Sequence, residues 1–166
     1  MAVRKILIYP DPLLKRESAE ITSVTKDVLI LIQDLIDTMN NAGHSTGIAA
    51  PQVGNPVRLA VADASLGRKL SPNHGQLILL NPEIIRYEGV ITSREGCMSV
   101  PEYTGSVNRA ERVTVQYLDE KFKSCVVEAE GFESILLQHE IDHLDGILFI
   151  DRVISRRTDL FRRKRS

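Results

Sequence analysis

The chain has 166 residues, 43% of them hydrophobic and 26% charged, with a net charge of −1. That is an ordinary globular composition, at a length that fills one proper core. No run of about 18 apolar residues exists, so no membrane span is expected, and two cysteines make no disulfide framework, which fits a reducing, cytosolic setting.

The opening "MAVRKILIYPDP" has too short an apolar stretch for a signal peptide and meets Pro10 and Pro12 almost at once. "TKDVLILIQDLIDTMNNAG" reads as an N-terminal helix. Val28, Leu31, Ile32, Leu35, Ile36 and Met39 recur at the spacing of one buried face, with Thr25 as N-cap and Gly43 as stop. "VRLAVAD" and "GQLILLNPEII" read as strands, the second largely apolar and central, and the turn-rich "ASLGRKLSPNHG" between them as a surface loop. "ERVTVQYLDEKFKSCVVEAEG" reads as two strands around the turn "LDEKFK", with Cys125, Val127 and Ala129 on the inward side. Cys125 is there expected to be a buried, inert thiol.

From Gly131 the apolar period changes from two to the helical one, and Phe132, Ile135, Leu136, His139 and His143 form one stripe that ends near Gly146. No repeat or linker divides the chain, so residues 1–166 read as a single domain. The expected fold class is α+β, with antiparallel or mixed sheets packed around this central helix, the N-terminal helix, and a basic C-terminal helix. The ends differ in charge: residues 1–150 carry 14 Lys+Arg against 20 Asp+Glu, whereas residues 151–166 carry 7 against 2. The basic segment 152–166 suits a polyanion such as RNA, and equally a solvated helix end whose cations complement the dipole.

The central helix carries "HEIDH", the pattern H-E-x-x-H. His139 and His143, four apart on one helical face, can reach one metal ion while Glu140 leans toward a bound water. Asp142 and Asp145 read as outward-facing, or as acceptors for the histidine N–H groups. A pair of hydrogen-bonded core histidines is the bland alternative. Zinc proteases that share the pattern take a third ligand downstream, either a histidine where this chain has Phe149 or a Glu that does not occur after His143. The third ligand must come from upstream, where the candidates are His44, His74, Cys97, Cys125 and assorted carboxylates. His74 lies in a loop and reads as exposed. Cys97, in "SREGCMSVPEY", sits at a tight turn beside free backbone N–H groups. With His139 and His143 it forms a Cys-His₂ set with one open position, which is a catalytic arrangement.

Three segments in this order resemble the peptide deformylases. "TGIAAPQVG" (46–54) is similar to the family's G-x-G-[LI]-A-A-x-Q motif, "EGCMS" (95–99) to E-G-C-L-S, and "QHEIDHLDG" (138–146) to Q-H-E-x-D-H-L; "GILFIDR" also suits the family. The resemblance covers nearly the whole chain. It implies a metal on Cys97, His139 and His143, with Glu140 moving the proton and Gln52 and the Met98 backbone N–H stabilising the oxyanion. It implies removal of the formyl group, as formate, from the N-terminal formyl-methionine of nascent polypeptides. The usual metal would be Fe(II), with zinc, nickel or cobalt as substitutes, in a bacterial cytoplasmic enzyme or the mature form of an organellar one.

Main-chain groups of Thr46 and Gly47, with Gly96 opposite, are expected to pair with the substrate in strand fashion. Phe132, Ile135 and Leu136 are candidates for the methionine pocket and equally for plain core. Two positions depart from the pattern: Ser45 replaces the first motif glycine, and Met98 the usual leucine. Altered substrate preference is the expected consequence. The competing functional reading is a catalytically weak relative that binds metal or docks on the ribosome. A ribosome contact is also the specific hypothesis for the basic tail, where Arg156, Arg157, Arg162, Arg163, Lys164 and Arg165 would meet ribosomal RNA.

Overall fold

Thr25 opens the first helix as its position in the sequence requires, accepting from the Val28 N–H at the start of α1 (Lys26–Asn41). The chain leaves that helix through Gly43 at φ 77°, a left-handed conformation that glycine adopts without strain. The computed structural model describes residues 2–67 and 71–163. Leu31, Ile32, Leu35 and Met39 of α1 are buried, and Val28 and Ile36 pack at the edge of the same cluster.

Among the described residues eight strands follow: β1 (Gly47–Ala49), β2 (Leu59–Asp63), β3 (Gln76–Glu88), β4 (Ile91–Cys97), β5 (Val100–Arg109), β6 (Arg112–Leu118), β7 (Ser124–Glu130) and β8 (Leu160–Arg162). They form a five-stranded sheet, β1-β2-β3-β6-β7, and a three-stranded one, β4-β5-β8. Among the described residues every pairing between strands is antiparallel, so "mixed" narrows to antiparallel, and the one parallel element is an isolated bridge between Ala19 and Val57. β3 is the central strand of the larger sheet, as its apolar run predicts.

The apolar "LAVA" of β2 is explained by a helix on each face. Leu59 and Val61 pack toward α1, while Ala60 and Ala62 turn the other way, toward the second helix α2 (Gly131–Leu144). Small side chains there, with Ala49 on β1, let α2 lie close against the sheet. The expected single stripe on α2 is too narrow. Glu133, Ser134, Leu137, Gln138 and Ile141 are buried along with Ile135, Leu136 and His143, because neighbours enclose the helix on nearly every side.

The C-terminal segment corrects the expected basic helix. Its described part is irregular until β8, which pairs with β5 in the register Tyr103↔Arg162, Thr104↔Phe161 and Gly105↔Leu160. Leu160 and Phe161 are adjacent and have no apolar residue three or four positions away, so the segment buries them by strand alternation. Leu160 turns into the third core cluster and Phe161 lies under the Arg94 guanidinium. Lys164 and Arg165 of the expected ribosome-contacting set lie outside the described residues. Cys125, expected to be buried, is half-buried near the start of β7, less enclosed than Val127 and Ala129 further along the same face.

Candidate metal centre

α2 presents His139 and His143 one turn apart, with ring centroids 5.1 Å from each other. β4 ends at Cys97, where the two-residue turn Met98–Ser99 leads into β5. These elements bring Cys97 Sγ and one nitrogen from each histidine within 4.8 Å of one another. Cys97 Sγ and His143 Nε2 stand 3.4 Å apart. A tetrahedral ion with metal–sulfur and metal–nitrogen bonds of about 2.0–2.3 Å sets ligand atoms roughly 3.3–3.7 Å apart, so the set fits a cation of that size. Two buried polar atoms beside it, Glu140 Oε1 and His143 Nδ1, make no hydrogen bond among the described residues. His44, His74 and Cys125 are not part of this group. Phe149, standing where some proteases have their third histidine, is stacked on the His139 ring instead.

The residue that orients His139 is Glu95, whose Oε1 lies 2.8 Å from Nδ1. Glu95 is in turn held by both Nε and Nη2 of Arg109, at 2.7 and 2.8 Å. Arg109 Nη1 donates to Asp142 Oδ2, and Arg152 donates to both Asp142 oxygens. Asp142 is therefore buried in a network of arginines, neither outward-facing nor a histidine acceptor; Asp145 does face outward and pairs with Arg58. Burial by itself would raise the Glu95 pKa. The hydrogen bonds and charges of Arg109 and His139 outweigh it and hold the group at about 2. Burial likewise works against Arg109, yet Glu95 and Asp142 raise its pKa. His139 is raised despite its burial by its bonds to Cys97 and Glu95 and by the Glu140 charge. Burial lowers His143, helped by the charges of His139 and Arg109.

Glu140 is 3% exposed. Burial pushes its pKa up to about 7; His139 and Arg109 oppose the rise, and Glu95 and Asp142 add to it. A Cβ on Gly47 would stand 2.5 Å from Glu140 Oε2, so only glycine lets β1 pass this close to the carboxylate. Gln52, 1% exposed, is pinned by its Oε1 accepting from the Ala49 N–H, which aims Nε2 at Ser99 Oγ (3.1 Å) and Cys97 Sγ (3.5 Å). Met98 follows Cys97 in the turn that leads into β5.

Both strands expected to receive substrate, β1 and β4, are edges of their sheets. The Thr46 carbonyl is taken by the Asp63 N–H at 2.7 Å, so Thr46 faces β2. Alternation then turns Gly47 toward the open side, where its carbonyl accepts from Ser45 Oγ at 2.9 Å. Leu136 lies in the main core cluster, Phe132 packs at its edge against Gly67, and Ile135 is 7% exposed. Glu95, Ser99 and Arg109 had no role in the expected site, and Asp142 only that of a possible histidine acceptor, which it is not. Glu95 carried a local signal, since residues two apart on a strand share a face and Cys97 was already a ligand candidate. Ser99 carried only its place at the end of the E-G-C-M-S segment, and Arg109 carried none.

The polypeptide deformylase family model matches residues 3–159. The peptide deformylase of Thermodesulfovibrio yellowstonii is 45% identical over 164 residues, covering 99% of this chain and 97% of that protein. That of Halothermothrix orenii is also 45% identical, with 93% and 96% covered. Among solved structures, a Legionella pneumophila peptide deformylase superposes with a TM-score of 0.84 at 40% identity, covering 92% of this chain and 86% of that one. A Met-Ala-Ser-bound class I type b peptide deformylase from Acinetobacter baumannii superposes with a TM-score of 0.84 at 30% identity, covering 92% and 99%.

Proposed function

The chain belongs to the peptide deformylase family, and on that premise we propose that it works as one domain in which Cys97, His139 and His143 hold a divalent cation and Glu140 moves the proton. Its reaction is hydrolysis of the formyl amide at the N-terminal formyl-methionine of nascent polypeptides. Water adds to the formyl carbon, the C–N bond breaks, formate leaves, and the freed amine takes a proton. A bound cation polarises the carbonyl and makes water a nucleophile at neutral pH. Glu140 Oε1 accepts the proton of the attacking water and returns it to the leaving amine. Burial raises the proton affinity of this carboxyl and a neighbouring cation opposes the rise, a balance that suits a group that takes up a proton and gives it back. Gln52 Nε2 and the Met98 N–H donate to the oxygen that becomes negative.

The observation that carries this reading is a buried carboxylate oxygen without a hydrogen bond, beside three converging ligand atoms. A relative that only bound metal or docked on the ribosome would have no use for so costly a group. The substrate backbone lies between the open edges of β1 and β4, along Gly47 and Gly96, with Phe132, Ile135 and Leu136 toward the methionine side chain. Fe(II) is the native metal of this proposal, and zinc, nickel or cobalt can stand in for it on a Cys-His₂ set. The enzyme would act in the cytoplasm, the compartment of nascent chains.

Formate release from formyl-Met-Ala-Ser, by protein purified without oxygen and analysed for metal, tests the reading. Wild type should release formate with about one metal per chain. Glu140→Ala should keep its metal and lose activity by about a hundredfold or more. Metal without formate, even after reloading with Fe(II) or nickel, would refute it. The basic tail is proposed to meet ribosomal RNA. Arg156 and Arg157 are exposed and lie outside β8, so Arg156→Glu with Arg157→Glu should abolish salt-sensitive cosedimentation with ribosomes without unpairing the sheet; unchanged cosedimentation rejects that contact.

A further inference from the structure

Arg163 continues the β8 register beyond Arg162, its N–H donating to the Glu102 carbonyl at 2.7 Å. Strand alternation puts its side chain on the outer face with Phe161 and Thr104. From there the guanidinium crosses β5 and lies over Gly96 on β4, where a Cβ would overlap its Nη2. It fills the place of the side chain that residue 96 lacks, one residue from Cys97. A second guanidinium stands on the same face: Arg94 lies 3.9 Å above the Phe161 ring and donates through Nε to Thr104 Oγ1 at 2.9 Å. Glu102 is the acid on that face of β5. Two cations therefore flank the open edge of β4 at the point where it meets the proposed metal ligand. Arg163 belongs to the basic tail, yet it reaches toward the site.

We propose that Arg163 is a specificity residue that selects substrates carrying a carboxylate side chain at the second or third residue, after formyl-methionine. The inference rests on the deformylase reading and on substrate lying along Gly96. With the formyl carbon near Cys97, the chain advances about 3.3 Å per residue along the β4 edge, and an arginine anchored over Gly96 reaches only the next one or two side chains. A planar guanidinium suits a carboxylate, and a cationic side chain there meets like charge.

The test compares kcat/KM for C-terminally amidated formyl-Met-Xaa-Ser and formyl-Met-Ala-Xaa, with Xaa Glu, Gln or Lys; amidation removes the competing terminal carboxylate. At low salt, wild type should favour Glu over Lys by about fivefold at one of the two positions. The preference should shrink in roughly 0.5 M NaCl. Arg163→Gln should bring the ratio near one, and Arg163→Lys should keep much of it. Equal rates for Glu and Lys in wild type, or an unchanged ratio in Arg163→Gln, overturn the assignment. Loss of the ratio in Arg94→Gln but not in Arg163→Gln also overturns it, giving the selection to Arg94. No formate from any peptide, the Gln ones included, overturns the deformylase reading as well, so the two failures are distinguishable.

Discussion

At the scale of single residues, the site depends on a chain of contacts that begins outside the ligand set. His139 turns one nitrogen toward Cys97 and His143, where it would meet a cation, while the other is bonded to Glu95, so Glu95 sets the ring orientation and the tautomer. Glu95→Gln keeps the shape but removes the charge that Arg109 and His139 both use. Metal affinity should fall about ten- to a hundredfold, measured by competition with a chelator; an unchanged affinity would reduce Glu95 to packing. Cys97, His139, Glu140 and His143 were legible because they are bare functional groups in a recognisable spacing. Glu95 was half-legible, through alternation with Cys97. Arg109 was not, because nothing near it in sequence shows that its guanidinium is buried between Glu95 and Asp142.

At the scale of elements, α2 is held in place by more than apolar contact. Gln138 Oε1 accepts from the Ala110 N–H and its Nε2 donates to the Ala110 carbonyl, while Ser134 Oγ donates to the same carbonyl. This tie fixes the helix one residue before His139. Gln138→Ala leaves a buried N–H without its partner and should cost about 2 kcal/mol in urea unfolding of metal-free protein, with a raised KM or lower kcat following from the displaced histidine. A loss under about 0.5 kcal/mol would mean that water replaces the amide. The elements legible in sequence, α1, α2, β2, β3 and the β6–β7 hairpin, each declare themselves by local periodicity. β8 does not. Its two apolar residues make sense only against β5, some 55 residues away, and Phe161 is covered by an arginine that local patterning cannot bring there. The all-round burial of α2 was hidden for a related reason: Glu133, Ser134, Gln138 and Asp142 look solvent-facing, yet each is buried against a specific partner.

At the scale of the whole molecule, two buried carboxylates pull the pH dependence of stability in opposite directions. Glu95 is held at about 2, below its ordinary 4.5, so its contribution of about 3 kcal/mol is complete above pH 4.5 and is lost as the pH falls toward 2. Glu140 is the reverse. With no cation beside it, burial sets its pKa at about 7, so the folded chain binds a proton that the unfolded chain has released. Stability of the metal-free protein therefore falls by about 3 kcal/mol as the pH rises from 4.5 through 7. The group that would do the chemistry is thus a liability to the fold until a cation offsets its charge. Glu140→Gln removes that liability without changing the shape. In chelator-treated protein the variant should match wild type near pH 4.5 and exceed it by about 2–3 kcal/mol at pH 8, read from urea unfolding at both pH values. Loading with metal should narrow the gap, since a cation favours the charged carboxylate. If the metal-free variant is no more stable than wild type at pH 8, Glu140 is hydrated rather than buried in the folded protein, and the tuning of its proton affinity must come from the cation rather than from burial.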